Sequence, residues 1–173
     1  NQAMGGSSLN GGRAGSGAGT DMFVMKGATV ILQPGLGTTI TFNGGIADDS
    51  RASYAEAGNG VGQGANVTVA GPGLVVFNGV NTESGQSLFQ GGMLDADEGT
   101  GIHVASNINF NGTGRTGSLS ESNSGVLMTS GNFNRLTGTI GNRVQFTGSG
   151  GFAAYGGDLT VNIGGLSTPQ TLA

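Results

Sequence analysis

The stretch "LVVFNGVNTESGQSLFQGGML", residues 74–94, joins a short apolar run to a glycine-studded turn and closes on Gly-Gly and a second apolar pair. Its Phe77-Asn78-Gly79 step has three counterparts. Phe42-Asn43-Gly44 ends "TTITFNG", Phe110-Asn111-Gly112 ends "SNINFNG", and Phe146-Thr147-Gly148 ends "NRVQFTG". The phenylalanines are 35, 33 and 36 residues apart, inside the range of about 20–50 residues that marks solenoids, propellers and related arrays. A propeller blade needs four strands and carries tryptophan signatures, and this chain has no tryptophan. Recurring type I′ hairpin turns are the competing reading, but the near-equal spacing favours the solenoid. The expectation is an all-β chain wound as a right-handed parallel β-helix, each period being one long turn or two short ones. Roughly eight short turns at ~4.8 Å each would make a rod on the order of 40 Å long. Phe42, Phe77, Phe110 and Phe146 are expected to fill its bore. Gly44, Gly79, Gly112 and Gly148 are expected to supply a positive φ for the change of face, and the asparagines to stack amide on amide.

Composition supports the β reading. There are 38 glycines in 173 residues, roughly three times ordinary usage, and each interior glycine costs a helix about 1 kcal/mol relative to alanine. Three prolines and no every-third glycine exclude collagen. Only 9% of residues are charged and apolar runs recur, which sets the bulk of the chain apart from disordered sequences. The net charge of −4, with six cations in all, leaves no basic patch for phosphates, so no nucleic-acid partner is expected. No apolar stretch approaches the ~20 residues that span a bilayer, so no membrane insertion by this segment is expected. The chain has no cysteine, which suits export through an oxidising compartment. Neither end carries a signal or stop-transfer pattern, and the chain reads as a piece of something longer.

Along the chain, residues 1–20 are nearly free of large apolar groups and read as a flexible glycine-rich arm. Residues 21–173 read as the β-helix segment. Strands are expected near 22–26, 28–32, 38–42, 66–70, 74–77, 92–95, 107–110, 125–128, 137–140, 143–146, 151–154 and 158–163, with one helical turn possible in "DDSRASYAEAG" (48–58).

At residues 77–94 the sequence resembles the autotransporter-associated β-strand repeat. That pattern runs approximately F-x-G-x-N-T-[YF]-[ST]-G-x-T-x-[IL]-x-x-G-x-L, and Phe77, Gly79, Asn81, Thr82, Ser84, Gly85, Gly91, Gly92 and Leu94 occupy matching places. Residues 19–50 and 125–165 are similar to segments that accompany this repeat. Glu83 stands where an aromatic is usual, and "QSLFQ" stands in place of "ATTIN". The resemblance implies a cell-surface or secreted passenger segment of a type V secretion system of a Gram-negative bacterium.

The chemistry-bearing residues are few. "SGAGTDMF" (16–23) comes near a calcium-binding nonapeptide, but no tandem copy follows. Asp95, Asp97 and Glu98 lack EF-hand spacing, so no metal or other cofactor is expected. Asp48-Asp49 with Arg51 read as a surface loop with weak local pairing. His103 is the only histidine and reads as a wall or turn residue. No G-x-S-x-G elbow is present. The expected function is a non-enzymatic scaffold or fibre element that supports adhesion, associating with itself or with flanking repeats through its ends. The alternatives are an adhesin module that binds a cell-surface ligand directly, and a polysaccharide-acting enzyme.

Overall fold

The computed structural model describes residues 19–49, 64–114 and 124–164. Those residues contain strands, turns and bends and no helix. Most of the N-terminal arm, most of the 48–58 turn and the C-terminal "LSTPQTLA" lie outside the described residues.

Among the described residues twelve strands follow one another: β1 (Met22–Val24), β2 (Thr29–Leu32), β3 (Thr39–Phe42), β4 (Ile46–Asp48), β5 (Asn66–Val69), β6 (Leu74–Phe77), β7 (Gln86–Phe89), β8 (Met93–Asp95), β9 (Asn107–Phe110), β10 (Gly125–Thr137), β11 (Arg143–Phe146) and β12 (Gly150–Ile163). Every strand pairing is parallel. One stack runs β2-β5-β7-β9-β11, and a second runs β3-β6-β8-β10-β12. The end of β10 also pairs with β11, at Leu136↔Arg143 and Thr137↔Val144. The two stacks thereby join into one ten-stranded sheet that curls around a common core. β1 pairs with β4 on a third side.

Burial alternates along the inner strands as a half-buried pleat requires. In β6, Val75 and Phe77 point inward, and in β7, Ser87 and Phe89 do so. In register across the first stack lie Val30, Val67, Ser87, Ile108 and Val144, so successive tiers are 37, 20, 21 and 36 residues apart. The strand-to-strand spacing is thus about twenty residues with two longer connections, and the even spacing of the four Phe-(Asn/Thr)-Gly steps is an accident of where those connections fall. Among the described residues the first stack holds five strands, against the eight turns expected, and is about 19 Å high.

The register corrects the reading of the phenylalanines. Phe42 and Phe77 pair in the second stack, whereas Phe110 and Phe146 pair in the first, joined there by Phe89. Phe77 and Phe110 are buried in one core cluster, and Phe42 is partly buried against it. Phe146, at the last tier, is 44% exposed. Phe110 packs its ring 5.0 Å from Phe89 and 4.9 Å from Phe146.

The glycine argument also changes. Gly44, Gly79, Gly112 and Gly148 do not take positive φ. At Gly79 and Gly148 the backbone of the neighbouring tier approaches too closely for a side chain, and at Gly44 the Thr20 and Asp21 side chains do. A Cβ on Gly148 would lie 2.4 Å from the Gly112 carbonyl oxygen. Asparagine stacking does occur, with Asn78 Nδ2 donating to Asn43 Oδ1 at 2.9 Å. Residues 137–140, expected as a strand, instead leave β10 at Thr137 and turn, because Gly138 takes a φ of 153° and Gly141 one of 65°. Two strands, β4 and β7, go beyond the expected set.

Candidate functional site

The densest polar chemistry lies along the third side, where β4 meets residues 81–84 of the next tier and 98–103 of the tier after. Asn81 is its organiser. The buried amide accepts from the Ile46 N–H through Oδ1 at 2.7 Å and donates through Nδ2 to the Gly101 carbonyl at 2.7 Å. Its own N–H donates to Thr100 O, and the Thr82 N–H donates to Ile46 O. One side chain therefore spans three tiers, satisfying backbone groups that a short, interrupted third strand leaves over.

Asp48 ends β4 fully buried. Its Oδ2 accepts from the backbone N–H of Ala65 at 2.8 Å and of Ser84 at 2.9 Å. The carboxylate occupies the space that a side chain at position 64 would need, since a Cβ on Gly64 would fall 1.7 Å from Oδ2. The expectation of a surface loop at Asp48 is thus corrected: the residue belongs to the wall. Asp49 accepts from the Lys26 N–H, and Arg51 lies outside the described residues.

Glu83 is 2% exposed, and its Oε2 has no hydrogen-bond partner. Burial pushes its carboxyl up from 4.5 to about 8, opposed by its own backbone N–H and reinforced by the charge of Asp48. His103 is half-buried with its Nδ1 unpartnered. Burial lowers its basicity, Asp48 raises it and Arg135 lowers it further.

Beyond the histidine, Arg135 of β10 is 3% exposed. It grips the Glu98 carboxylate, with Nη2 2.9 Å from Oε1 and Nε 3.2 Å from both oxygens. It also donates to the carbonyls of His103, at 3.1 Å, and Ser106. Burial raises the Glu98 carboxyl by more than Arg135 lowers it. The arginine thus pins the 98–106 connection to β10, a multidentate role suited to guanidinium geometry.

Two further acids, Asp21 and Asp97, have structural partners. Asp21, in the nonapeptide-like stretch, accepts from the Gly44 N–H at 2.7 Å, and residues 16–18 of that stretch lie outside the described residues. Asp97 Oδ1 accepts from the N–H and Oγ of Ser130 and from Thr129 Oγ1, while Asp95 is raised by partial burial and then by Asp97. Among the described residues no group of three or more histidines and acids has the arrangement to hold a metal ion.

Comparison with protein-family models, with curated proteins and with solved structures finds no match. The residues singled out by the repeat pattern are distributed through the wall. Phe77, Gly79, Asn81, Gly85, Gly92, Phe110 and Gly112 are buried, Gly44 and Thr82 are half-buried, and Gly148 is exposed. A Cβ on Gly85 would meet the Ala65 carbonyl oxygen at 2.1 Å. Of this set only Asn81 and Thr82 belong to the polar seam. The sequence reading put Asp48 in a surface loop, took Glu83 only as a departure from the repeat pattern, and did not single out Arg135. For Arg135 a signal existed, since it shares inward parity with Leu127, Thr129 and Phe133 along β10.

Proposed function

We propose that this chain is a non-enzymatic scaffold segment, a right-handed parallel β-helix that extends a longer stack through its ends. Right-handed winding is the strong preference for crossovers between parallel strands. The observation that carries the reading is one-sided pairing at the ends. Among the described strands β2 and β3 bond only to the tier above them, and β12 bonds only to β10. Such edges are templates for a further strand, and a heterologous join that does not close generates a filament. A second support is that amide side chains tie one tier to another. Asn66 Oδ1 accepts from the Gln86 N–H, while Asn107 Oδ1 accepts from the amides of both Gln86 and Gln145.

The resemblance at residues 77–94 supports reading such a segment as part of an extracellular or cell-surface passenger of an autotransporter-like protein, supporting adhesion there. The partners on this reading are flanking repeats or further copies of the chain. The test is sedimentation velocity and negative-stain microscopy of the purified chain over a concentration series. End-to-end oligomers of uniform width are expected. A monodisperse monomer throughout would reject the scaffold reading.

A further inference from the structure

Three asparagine–glycine steps stand among the described residues, at 43–44, 78–79 and 111–112, each just past the end of a strand. In such a step the backbone nitrogen of the glycine can reach the preceding side-chain carbonyl, because no Cβ hinders the approach. The fold treats the three steps differently. At the first, Asn43 Oδ1 accepts from Asn78 Nδ2 at 2.9 Å, and the Gly44 N–H donates to Asp21 Oδ2 at 2.7 Å. The acid is pressed against the glycine, since a Cβ on Gly44 would fall 2.6 Å from Asp21 Oδ1. It is also held from both sides. Thr20 Oγ1 accepts from the Gly45 N–H at 2.6 Å, and the Asp21 N–H donates to the Gly45 carbonyl at 3.2 Å. Asn43 itself is exposed, so a group leaving its side chain passes straight to water.

The other two steps lack this arrangement. Gly112 is buried, and its N–H donates to the Ser149 carbonyl at 2.9 Å, an acceptor that takes no proton. Gly79 is buried with the Gly44 backbone against it, which resists the turn of the peptide plane that ring closure needs.

We propose that Asn43-Gly44 is a self-modification site that closes a succinimide ring, with Asp21 as general base and Asn78 as donor to the developing oxyanion. The Gly44 nitrogen gives its proton to Asp21 Oδ2 and bonds to Asn43 Cγ. Negative charge gathers on Oδ1, where the Asn78 amide stabilises it. The Cγ–Nδ2 bond then breaks, and Asp21 passes the proton to Nδ2, which leaves as ammonia. Nothing is oxidised or reduced. Water opens the ring to an aspartate or an isoaspartate at position 43. Holding nucleophile, base and carbonyl together replaces the search that a flexible chain must make. The inference goes beyond the scaffold reading and holds whatever the ends of the stack join.

The test is peptide mapping by mass spectrometry of the full chain kept in neutral buffer made with heavy-oxygen water, both folded and in urea. In the folded chain, loss of ammonia and uptake of labelled oxygen at Asn43 should run about tenfold or more ahead of Asn78 and Asn111, the least that a positioned base contributes. Asn43 should also react faster folded than in urea. Asp21→Asn should slow Asn43 by about tenfold or more and leave Asn111 unchanged, and Asn78→Ala should slow Asn43 by a smaller factor. An Asn43 that reacts no faster folded than in urea would overturn the proposal without any variant. So would an Asp21→Asn chain, shown by circular dichroism to be folded, that keeps the wild-type rate.

Discussion

A Cβ on Gly79 would lie 2.2 Å from both the carbonyl carbon and the carbonyl oxygen of Gly44. The two glycines face each other across adjacent tiers, so what excludes a side chain is the neighbouring backbone, with no demand from dihedral angle. Gly79→Ala should therefore force the tiers apart. A loss of about 1–3 kcal/mol is expected, as for overpacking a filled interior, measured by urea denaturation. An unchanged midpoint would mean that the tiers can separate there freely.

The aromatic column predicts a gradient along the stack. Phe110 is fully buried between Phe89 and Phe146, whereas Phe146 is 44% exposed. Phe110→Ala should lose roughly 3–5 kcal/mol. Phe146→Ala should lose clearly less, about 1 kcal/mol, the scale of an aromatic pair contact. Equal losses in the isolated chain would place Phe146 within a completed core, under a further tier.

Arg135 offers a different kind of loss. Replacing it with alanine strands the Glu98 carboxylate and withdraws donors from the His103 and Ser106 carbonyls. Removing one member of a buried pair costs about 3–5 kcal/mol, and thermal denaturation should register it. The double variant Arg135→Met, Glu98→Gln should recover part of that loss, because it leaves no unpaired charge. A double variant no better than Arg135→Ala would assign the effect to packing against Phe133 instead.

At the acid end His103 sets the sign. Its folded basicity lies below the ordinary 6.5, so its contribution is fully present above that value. It is lost as pH falls from 6.5 toward the lower folded value, because the unfolded chain takes up the proton first. His103→Gln should flatten the stability profile over that interval in thermal melts between pH 7 and pH 4. A profile that keeps its slope would assign the acid loss to other groups.

The β architecture was legible because alternation in "TTITF" and "DLTVNI" is written in the side chains themselves. Tier length was not. Phe89 occupies the same column as Phe110 and Phe146, but in Phe89-Gln90-Gly91 a glutamine stands where the other four steps carry asparagine or threonine, so its tier was passed over. Without it the spacing averaged to a false period. The polar seam was harder still. Asp48 and Glu83 look like turn residues in sequence, and only the register that sets β4 beside residues 81–84 shows them to be inside. Glu83 is also the position where the resemblance expected an aromatic, an inward-facing place in either case.

β10 belongs to both stacks, pairing with β8 and β12 along its length and with β11 at its end. Mechanically it is a keystone. A load drawn from the C-terminal end would first unzip β12 from β10, bond by bond and at low force. Further extension would then have to shear β11 away from β9 and β10 together, so resistance would rise after the first yield. A strand shared in this way makes the outer layer sacrificial and protects the tiers beneath it.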